Sequence, residues 1–171
     1  SCGQIRTIWA GDNSMQSPVT VTAPRLCFEA VTLNKKAKAN LDSIRAIKNA
    51  EILVFGPSNP IVSIAPIIGI NGIRKCVQDS KSIKVAVSPL IAGKAVKGPA
   101  KEMLESVGFR GNVIGVAEYY KNLIDILIID KSDENYTKEI ENFGIKVLSL
   151  DILLKDKAKK IKLAEKIIEL V

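Results

Sequence analysis

The chain has 171 residues, of which 47% are hydrophobic and 25% charged, and its formal net charge is +7. This composition excludes a disordered tail, and the apolar stretches are broken too often by Pro, Gly, Ser and Asn to span a bilayer. Histidine is absent, which excludes Ser-His-Asp and Cys-His nucleophile systems.

The three cysteines, Cys2, Cys27 and Cys76, lie far apart in the chain. Without a CxxC pair or a Cys/His cluster they predict neither a zinc site nor a disulfide framework. The N-terminal sequence lacks a long apolar core after a basic start, so we expect no signal peptide and interpret the protein as cytoplasmic. The length favours a single α/β domain over 1–171, with an N-terminal segment, 1–27, that the pattern does not place.

The N-terminal region contains three candidate strands without helices between them: IRTIW (5–9), VTVT (19–22) and LCFEAV (26–31). Two expectations remain open for this region. Its strands pair as a hairpin, or the segment lies loosely on the domain.

From about residue 40 the sequence alternates between helical and strand patterns. Strands are predicted over 51–56, 83–89, 125–130 and 146–150, and helices over 40–50, 71–80, 98–108, 116–123, 134–144 and the C-terminus. Such alternation predicts parallel strands joined by helical crossovers, and the near-continuous apolar strands fit burial on both faces. The predicted fold class is α/β, a Rossmann-like open, mainly parallel sheet with helices on both faces.

The lysine-rich sequence KDKAKKIKLAEK (155–166) predicts an amphipathic C-terminal helix. Its predicted buried stripe consists of Ile161, Ala164, Ile168 and Val171. With NKKAKAN (34–40) it holds much of the positive charge, and a solvated helix face is the favoured interpretation. Only 5% of residues are aromatic and none alternate with basic ones, so nucleic acid is not the expected partner.

Ligands of open parallel sheets bind in the loops that follow the carboxyl ends of the strands. The first such loop is GPSNP (56–60). Gly56 lets a ligand approach the backbone, and the Ser58 hydroxyl and Asn59 amide can orient a polar ring or a sugar. The alternative is an ordinary turn in which Ser58 and Asn59 bond to the local backbone.

The second loop, SPLIAGKAVKG (88–98), precedes a helix predicted to begin at Pro99. Two ammonium groups, flexible glycines and the free N–H groups of a helix N-terminus predict a diphosphate site. The loop is neither a P-loop nor a GxGxxG motif, and two solvated lysines are the alternative. The candidate binding residues of this loop are Ser88, Gly93, Lys94, Lys97 and Gly98.

The third loop holds Asp130 and Asp133, which are candidate Mg²⁺ ligands or, alternatively, ordinary solvated carboxylates. Asp125 begins the same strand and is therefore expected at the opposite edge of the sheet. Tyr119 and Tyr120 are expected to pack in the core and not to bind a ligand.

Three segments, in this order and spacing, resemble the 2-phospho-L-lactate transferase family, which builds the deazaflavin coenzyme F-420. They are FGPSNPIVSIAPII (55–68), AVSPLIAGKAVKGPAKEML (86–104) and GVAEYYKNLIDILIIDKSD (115–133). A looser match over 28–51 extends the resemblance to roughly 28–150. Residues 1–27 resemble the family poorly, so the chain is similar to the later half of the enzyme, behind a divergent or truncated N-terminus.

The resemblance implies transfer of the phospholactyl group of a lactyl-diphospho-guanosine donor to a deazaflavin alcohol, with release of GMP and a requirement for Mg²⁺. Such chemistry depends on positioning and charge neutralisation more than on a strong base, which suits a chain without histidine. By loop position, Ser58 and Asn59 would contact the acceptor, while Lys94, Lys97 and Gly98 would face the nucleotide diphosphate. No catalytic residue is implied, and a homodimer is expected from the resemblance alone.

A related family, the nucleotide-sugar-binding gluconeogenesis factors, implies a non-catalytic regulatory protein as the alternative. Its corresponding loop tends to read Gly-Pro-Gly-Ser, whereas this chain has GPSNP at 56–60, which favours the transferase. A third interpretation, a basic RNA-associated domain, is supported only by the lysine-rich segments. It predicts RNA binding that weakens steeply as the salt concentration rises.

Overall fold

The computed structural model describes residues 3–6, 18–21, 37–96 and 98–170. In the N-terminal region, β1 (Gly3–Arg6) and β2 (Pro18–Val21) pair as antiparallel strands, in agreement with the hairpin expectation. β1 begins earlier than the predicted strand 5–9. The third candidate strand, 26–31, lies outside the described residues.

Four parallel strands form the central sheet, in the order β3-β4-β7-β8. They are β3 (Ile52–Phe55), β4 (Ile83–Val87), β7 (Ile126–Asp130) and β8 (Lys146–Leu150). Each strand thus pairs with the next one of the sheet along the chain, in parallel register. Two short strands, β5 (Leu90–Ile91) and β6 (Lys94–Ala95), form a separate antiparallel hairpin. The predicted parallel α/β sheet is confirmed.

Seven α-helices lie in the described part of the chain: α1 (Leu41–Asn49), α2 (Ala65–Ile68), α3 (Ile73–Asp79), α4 (Ala100–Ser106), α5 (Val113–Tyr120), α6 (Thr137–Glu141) and α7 (Lys157–Ile168). Local signals explain several of their ends. The Asn40 side chain caps α1 by accepting from the Asp42 N–H at 2.9 Å. Gly108, at φ +89°, follows the end of α4 in the left-handed region. Within the described ranges, no helix is long and apolar enough to cross a bilayer.

The GPSN loop is followed by helical structure that was not predicted from the sequence. A π-helical turn, Pro60–Ile64, leads directly into α2. Pro60 lies in the first turn of this helical run, where the absent N–H has no intrahelical partner to lose, and Pro66 is the second residue of α2. Prolines that signal a loop by composition therefore begin helices here.

The sheet is covered on both faces, as predicted. Because side chains alternate along a strand, Leu127 and Ile129 of β7 pack into the core formed with α3 to α6. Ile126 and Ile128 point to the other face, where they pack with Leu163 of α7. The two cores are the layers of an open α/β sheet.

The predicted buried stripe of α7 is wrong. Ile161 and Ile168 are 47% and 68% exposed, and Ala164 is exposed as well, while Leu163 and Ile167 are buried against the sheet. The helix carries two apolar stripes, and periodicity does not decide which of them meets the sheet. Val171 lies outside the described residues.

Tyr119 and Tyr120 pack as expected. The Tyr120 ring is fully buried, with its centroid 5.5 Å from that of Phe55 and 5.1 Å from that of Tyr119. Among the described residues the Tyr120 hydroxyl has no hydrogen-bond partner, and burial raises its pKa. Packing of the Tyr120 ring therefore stabilises the core, whereas burial of its unpaired hydroxyl is destabilising.

We expect Tyr120→Phe to leave the free energy of unfolding unchanged or to raise it by up to about 1 kcal/mol, because it removes a buried polar atom and keeps the ring. Urea denaturation of both proteins measures the difference. A loss of more than about 1 kcal/mol would mean that the hydroxyl has a partner.

Candidate functional site

The three predicted loops follow the carboxyl ends of β3, β4 and β7; the second loop contacts the third, and the first contacts α4. The Asn59 Nδ2 atom of the first loop lies 3.0 Å from the Met103 Sδ atom of α4, the helix that follows the second loop. The Ala92 N–H of the second loop donates to Asp133 Oδ2 of the third at 2.9 Å. Asp125 lies at the other edge, as expected, ahead of β7. Tertiary packing thus joins loops that are far apart in sequence.

In the first loop the two polar residues have different surroundings. Asn59 Oδ1 accepts from the N–H groups of Ile61 at 2.9 Å and Val62 at 3.4 Å, so it caps the π-helical turn. Ser58 is exposed, which leaves its hydroxyl accessible to a ligand. A Cβ added at Gly56 would meet no atom within 4 Å, so the backbone there borders open space. The sequence left open a ligand-binding loop or an ordinary turn with local backbone bonds, and Asn59 makes the local bonds.

We expect Asn59→Ala to lower the free energy of unfolding by about 1–2 kcal/mol, because two N–H groups lose their cap. Ser58→Ala is the matched control and should change stability by less than about 0.5 kcal/mol, since Ser58 is exposed. Thermal unfolding followed by circular dichroism compares the two variants. Equal stability of both would contradict the capping role.

In the second loop, Ser88 is buried and bonds locally. Its Oγ atom accepts from the Leu90 N–H and donates to the Leu90 carbonyl, both at 3.1 Å. Ala92 and Gly93 form the turn of the β5–β6 hairpin with φ values of +50° and +69°, and Gly93 suits this left-handed conformation. The turn carries the chain into the exposed Lys94.

The end of the second loop is only partly described. Gly98 also adopts a left-handed conformation, at φ +67°, just before α4. Lys97 lies outside the described residues. Since α4 has seven residues, the positive charge near this loop comes mainly from side chains and less from a helix dipole.

An open cleft of about 650 Å³ lies between the β5–β6 hairpin, α4 and the turn that precedes α5. We call it the hairpin cleft. It is lined by Ala92, Gly93, Lys94, Lys101, Glu105, Arg110, Gly111 and Asn112. Three of these residues are cationic.

The cations of the hairpin cleft differ in whether their charge is neutralised. Arg110 bonds to Glu118 at 2.8 Å and to Glu139, and these hydrogen bonds raise its pKa. Lys94 and Lys101 have no ion-pair partner in the described part of the chain. Lys101 and Arg110 line the cleft but were not predicted from the sequence. Lys101 could have been identified from its position in the first helical turn after Gly98 and Pro99. No sequence feature pointed to Arg110.

In the third loop both carboxylates bond inside the protein. Asp130 accepts from the Ser132 N–H and hydroxyl and from the Ile152 N–H. Burial alone raises the pKa of Asp130, but these hydrogen bonds outweigh it and the pKa is lowered. Asp133 is 1% exposed and accepts from Ala92. Its burial raises its pKa, although the Ala92 amide acts in the opposite direction.

These bonds decide whether the third loop fits a metal ion. A magnesium ion takes several oxygen ligands at short range, yet Asp130 and Asp133 already hold backbone amides. In residues 37–96 and 98–170, no three Asp, Glu, Cys or His side chains group closely enough to hold a metal. The described residues therefore supply no closed set of protein ligands for a magnesium ion in the third loop.

The chain matches the family model of the 2-phospho-L-lactate transferase CofD over residues 13–168. It is 40% identical to the 2-phospho-L-lactate transferase of Methanocaldococcus jannaschii over 133 residues, which cover 78% of this chain and 41% of that protein. The Methanosarcina barkeri enzyme is 35% identical over 147 residues, which cover 86% and 47%. The chain spans less than half the length of both relatives.

A solved structure of a UPF0052-family protein from Bacillus halodurans has a TM-score of 0.52 and 18% identity, and the alignment covers 78% of this chain and 48% of that one. This likeness shows the fold. The family match, from residue 13 to residue 168, is wider than the range 28–150 that the motifs suggested. It confirms the resemblance carried by the GPSNP and GKAVKG segments: the chain belongs to the 2-phospho-L-lactate transferase CofD family.

Proposed function

We propose that this chain works in a transferase that moves the phospholactyl group of a lactyl-diphospho-guanosine donor to a deazaflavin alcohol and releases GMP. The observation that carries the proposal is the hairpin cleft of a CofD-family chain, where Lys94 and Lys101 lack acidic partners in the described residues. Two ammonium groups against the single carboxylate of Glu105 leave a positive excess in this cleft, which suits a nucleoside diphosphate group.

The reaction itself is a substitution at phosphorus. The acceptor hydroxyl oxygen forms a bond to the phosphorus that carries lactate, and the bond from that phosphorus to the bridging oxygen breaks. GMP leaves with the bridging oxygen, and the hydroxyl proton is released. Lys94 and Lys101 bind the diphosphate oxygens and offset the negative charge on the leaving group, which is the main catalytic requirement of such transfers.

The acceptor is assigned to the first loop. Ser58 offers an accessible hydroxyl there, and an apolar groove of about 210 Å³, lined by Leu53 and Phe55 among others, extends to Gly56, two residues before Ser58. An apolar groove next to a hydroxyl group suits a flat ring with a polar side chain. The Mg²⁺ implied by the family has no closed set of protein ligands among the described residues of the third loop, and none of these steps depends on it.

We expect Lys94→Ala and Lys101→Ala each to weaken GDP binding by about 1.5–3 kcal/mol, because each removes a charge-assisted hydrogen bond. Isothermal titration calorimetry at fixed ionic strength measures the loss. The double variant Lys138→Ala/Lys146→Ala removes two exposed lysines outside the cleft and controls for net charge. A loss of GDP binding free energy below a few tenths of a kcal/mol in both cleft variants would mean that Lys94 and Lys101 are solvated side chains that do not bind the diphosphate.

Turnover distinguishes the transferase from the nucleotide-sugar-binding alternative. The chain is incubated with the donor and the deazaflavin alcohol, and GMP release is followed together with the fluorescence of the acceptor. Saturable acceptor binding that Ser58→Ala weakens, with GMP formed, supports the proposal. Nucleotide binding without acceptor binding or GMP release by the folded chain contradicts it.

A further inference from the structure

A second cationic cavity lies between α7 and the carboxyl ends of β7 and β8. We call it the α7 pocket. Its volume is about 210 Å³, and its polar lining consists of Lys131, Asp151, Lys159, Lys162 and Lys166. Leu150 and the buried Leu163 add an apolar surface. The lysine-rich sequence 155–166, which the proposed function does not use, supplies most of this lining.

The lysines converge because of how α7 packs. Lys159, Lys162 and Lys166 are spaced by three and four residues, so they lie along one side of the helix. Leu163, on the adjoining side, is buried against the sheet and so holds this row beside the strand ends. Lys131 follows β7 directly and reaches the same cavity from the sheet.

The charge in the α7 pocket is only partly compensated. Asp151 Oδ2 accepts from Lys159 Nζ at 2.7 Å, and Lys166 Nζ bonds to Glu169 at 2.6 Å. Lys131 and Lys162 have no ion-pair partner in the described part of the chain. Asp151 and Glu169 thus offset two of the four lysines, which leaves an excess of positive charge on Lys131 and Lys162.

The α7 pocket is separate from the hairpin cleft. The two cavities share no lining residue, and Leu163 belongs to the core on the opposite face of the sheet from α4 and α5. At about 210 Å³ it is smaller than a site for a drug-sized molecule, which favours a phosphate or diphosphate group as the bound part. Its lining contains no aromatic side chain on which a nucleic-acid base can stack.

We propose that the α7 pocket binds a small phosphorylated molecule through its phosphate or diphosphate group, with Lys131 and Lys162 as the principal donors. Lys159 and Asp151 form the wall of the site, and their ion pair keeps Lys159 oriented toward it. The site is independent of the proposed transferase reaction, since neither lysine lies in the hairpin cleft.

Inorganic pyrophosphate is the probe, titrated into the full chain carrying Lys94→Ala/Lys101→Ala so that the hairpin cleft does not contribute. The methyl NMR signals of Leu150 and Leu163 report on the α7 pocket. We expect saturable shifts of both signals. The added double substitution Lys131→Gln/Lys162→Gln should weaken binding about tenfold or more, because charge-assisted bonds are lost.

The matched control is Lys157→Gln/Lys160→Gln, which removes two exposed lysines of the same helix that do not line the cavity. It should change the affinity by less than about twofold, as expected for solvated charges. Equal weakening by both pairs, or no saturable shift of Leu150 and Leu163, would overturn the proposal. Tighter binding of a single-stranded RNA oligomer than of pyrophosphate, weakened equally by both pairs, would also overturn it.

Discussion

Gly115→Ala is expected to lower the free energy of unfolding by about 3 kcal/mol, the largest effect of any substitution considered for this chain. Gly115 is buried in α5, and a Cβ added there would overlap the backbone carbonyl of Arg110, whose carbon atom would lie 2.7 Å away. Neither backbone segment can move without disturbing the turn that leads into α5 and the Arg110 bonds to Glu118 and Glu139.

Gly111→Ala is the matched control in the same turn. The three atoms nearest to a Cβ at Gly111 all belong to the Glu105 side chain, which can rotate away, so we expect a loss of less than about 1 kcal/mol. Urea denaturation of the two variants and the parent chain gives the comparison. If Gly115→Ala were no more destabilising than Gly111→Ala, the result would contradict the close approach of Gly115 to the backbone carbonyl of Arg110.

Asp133→Ala is expected to cost about 2–3 kcal/mol and to loosen the β5–β6 hairpin. The buried carboxylate accepts from the Ala92 N–H at 2.9 Å, and its removal leaves that amide without an acceptor. Ala92 is also a non-glycine residue at φ +50°, a conformation that needs support from its surroundings. Since Lys94 follows this turn, the variant should also weaken GDP binding if the hairpin cleft is the diphosphate site.

Hydrogen exchange provides the local measurement. The amides of Ala92 and Lys94 should lose protection in Asp133→Ala, and adding Ala92→Gly should restore part of the stability by relieving the positive φ. Asp79→Ala, an exposed carboxylate on α3, is the control and should change stability by less than about 0.5 kcal/mol. Unchanged hairpin protection in Asp133→Ala would contradict the role of this carboxylate.

The candidate site was only partly predictable from the sequence. GPSNP marked a distinctive loop, but composition did not distinguish Asn59, which caps a helical turn, from Ser58, which remains exposed. Ser88 stood in the expected loop, where it is buried and bonds to Leu90. Asp130 and Asp133 stood at the expected edge and bond to backbone amides. In each case a polar side chain near a turn can bind a ligand or can bond to the local backbone. The position of the nearest N–H group favours one or the other.

The sequence alone was sufficient for the parallel sheet, most of its strands and helices and the family, because these follow from local periodicity, turn residues and ordered motifs. Tertiary structure alone decided which side of α7 is buried, and which lysines share a cavity. It also placed Lys94 and Lys101 in one cleft, on separate elements. The physical reason is that local patterns bias each segment's own backbone. Which faces and loops meet depends instead on packing between segments distant in the chain.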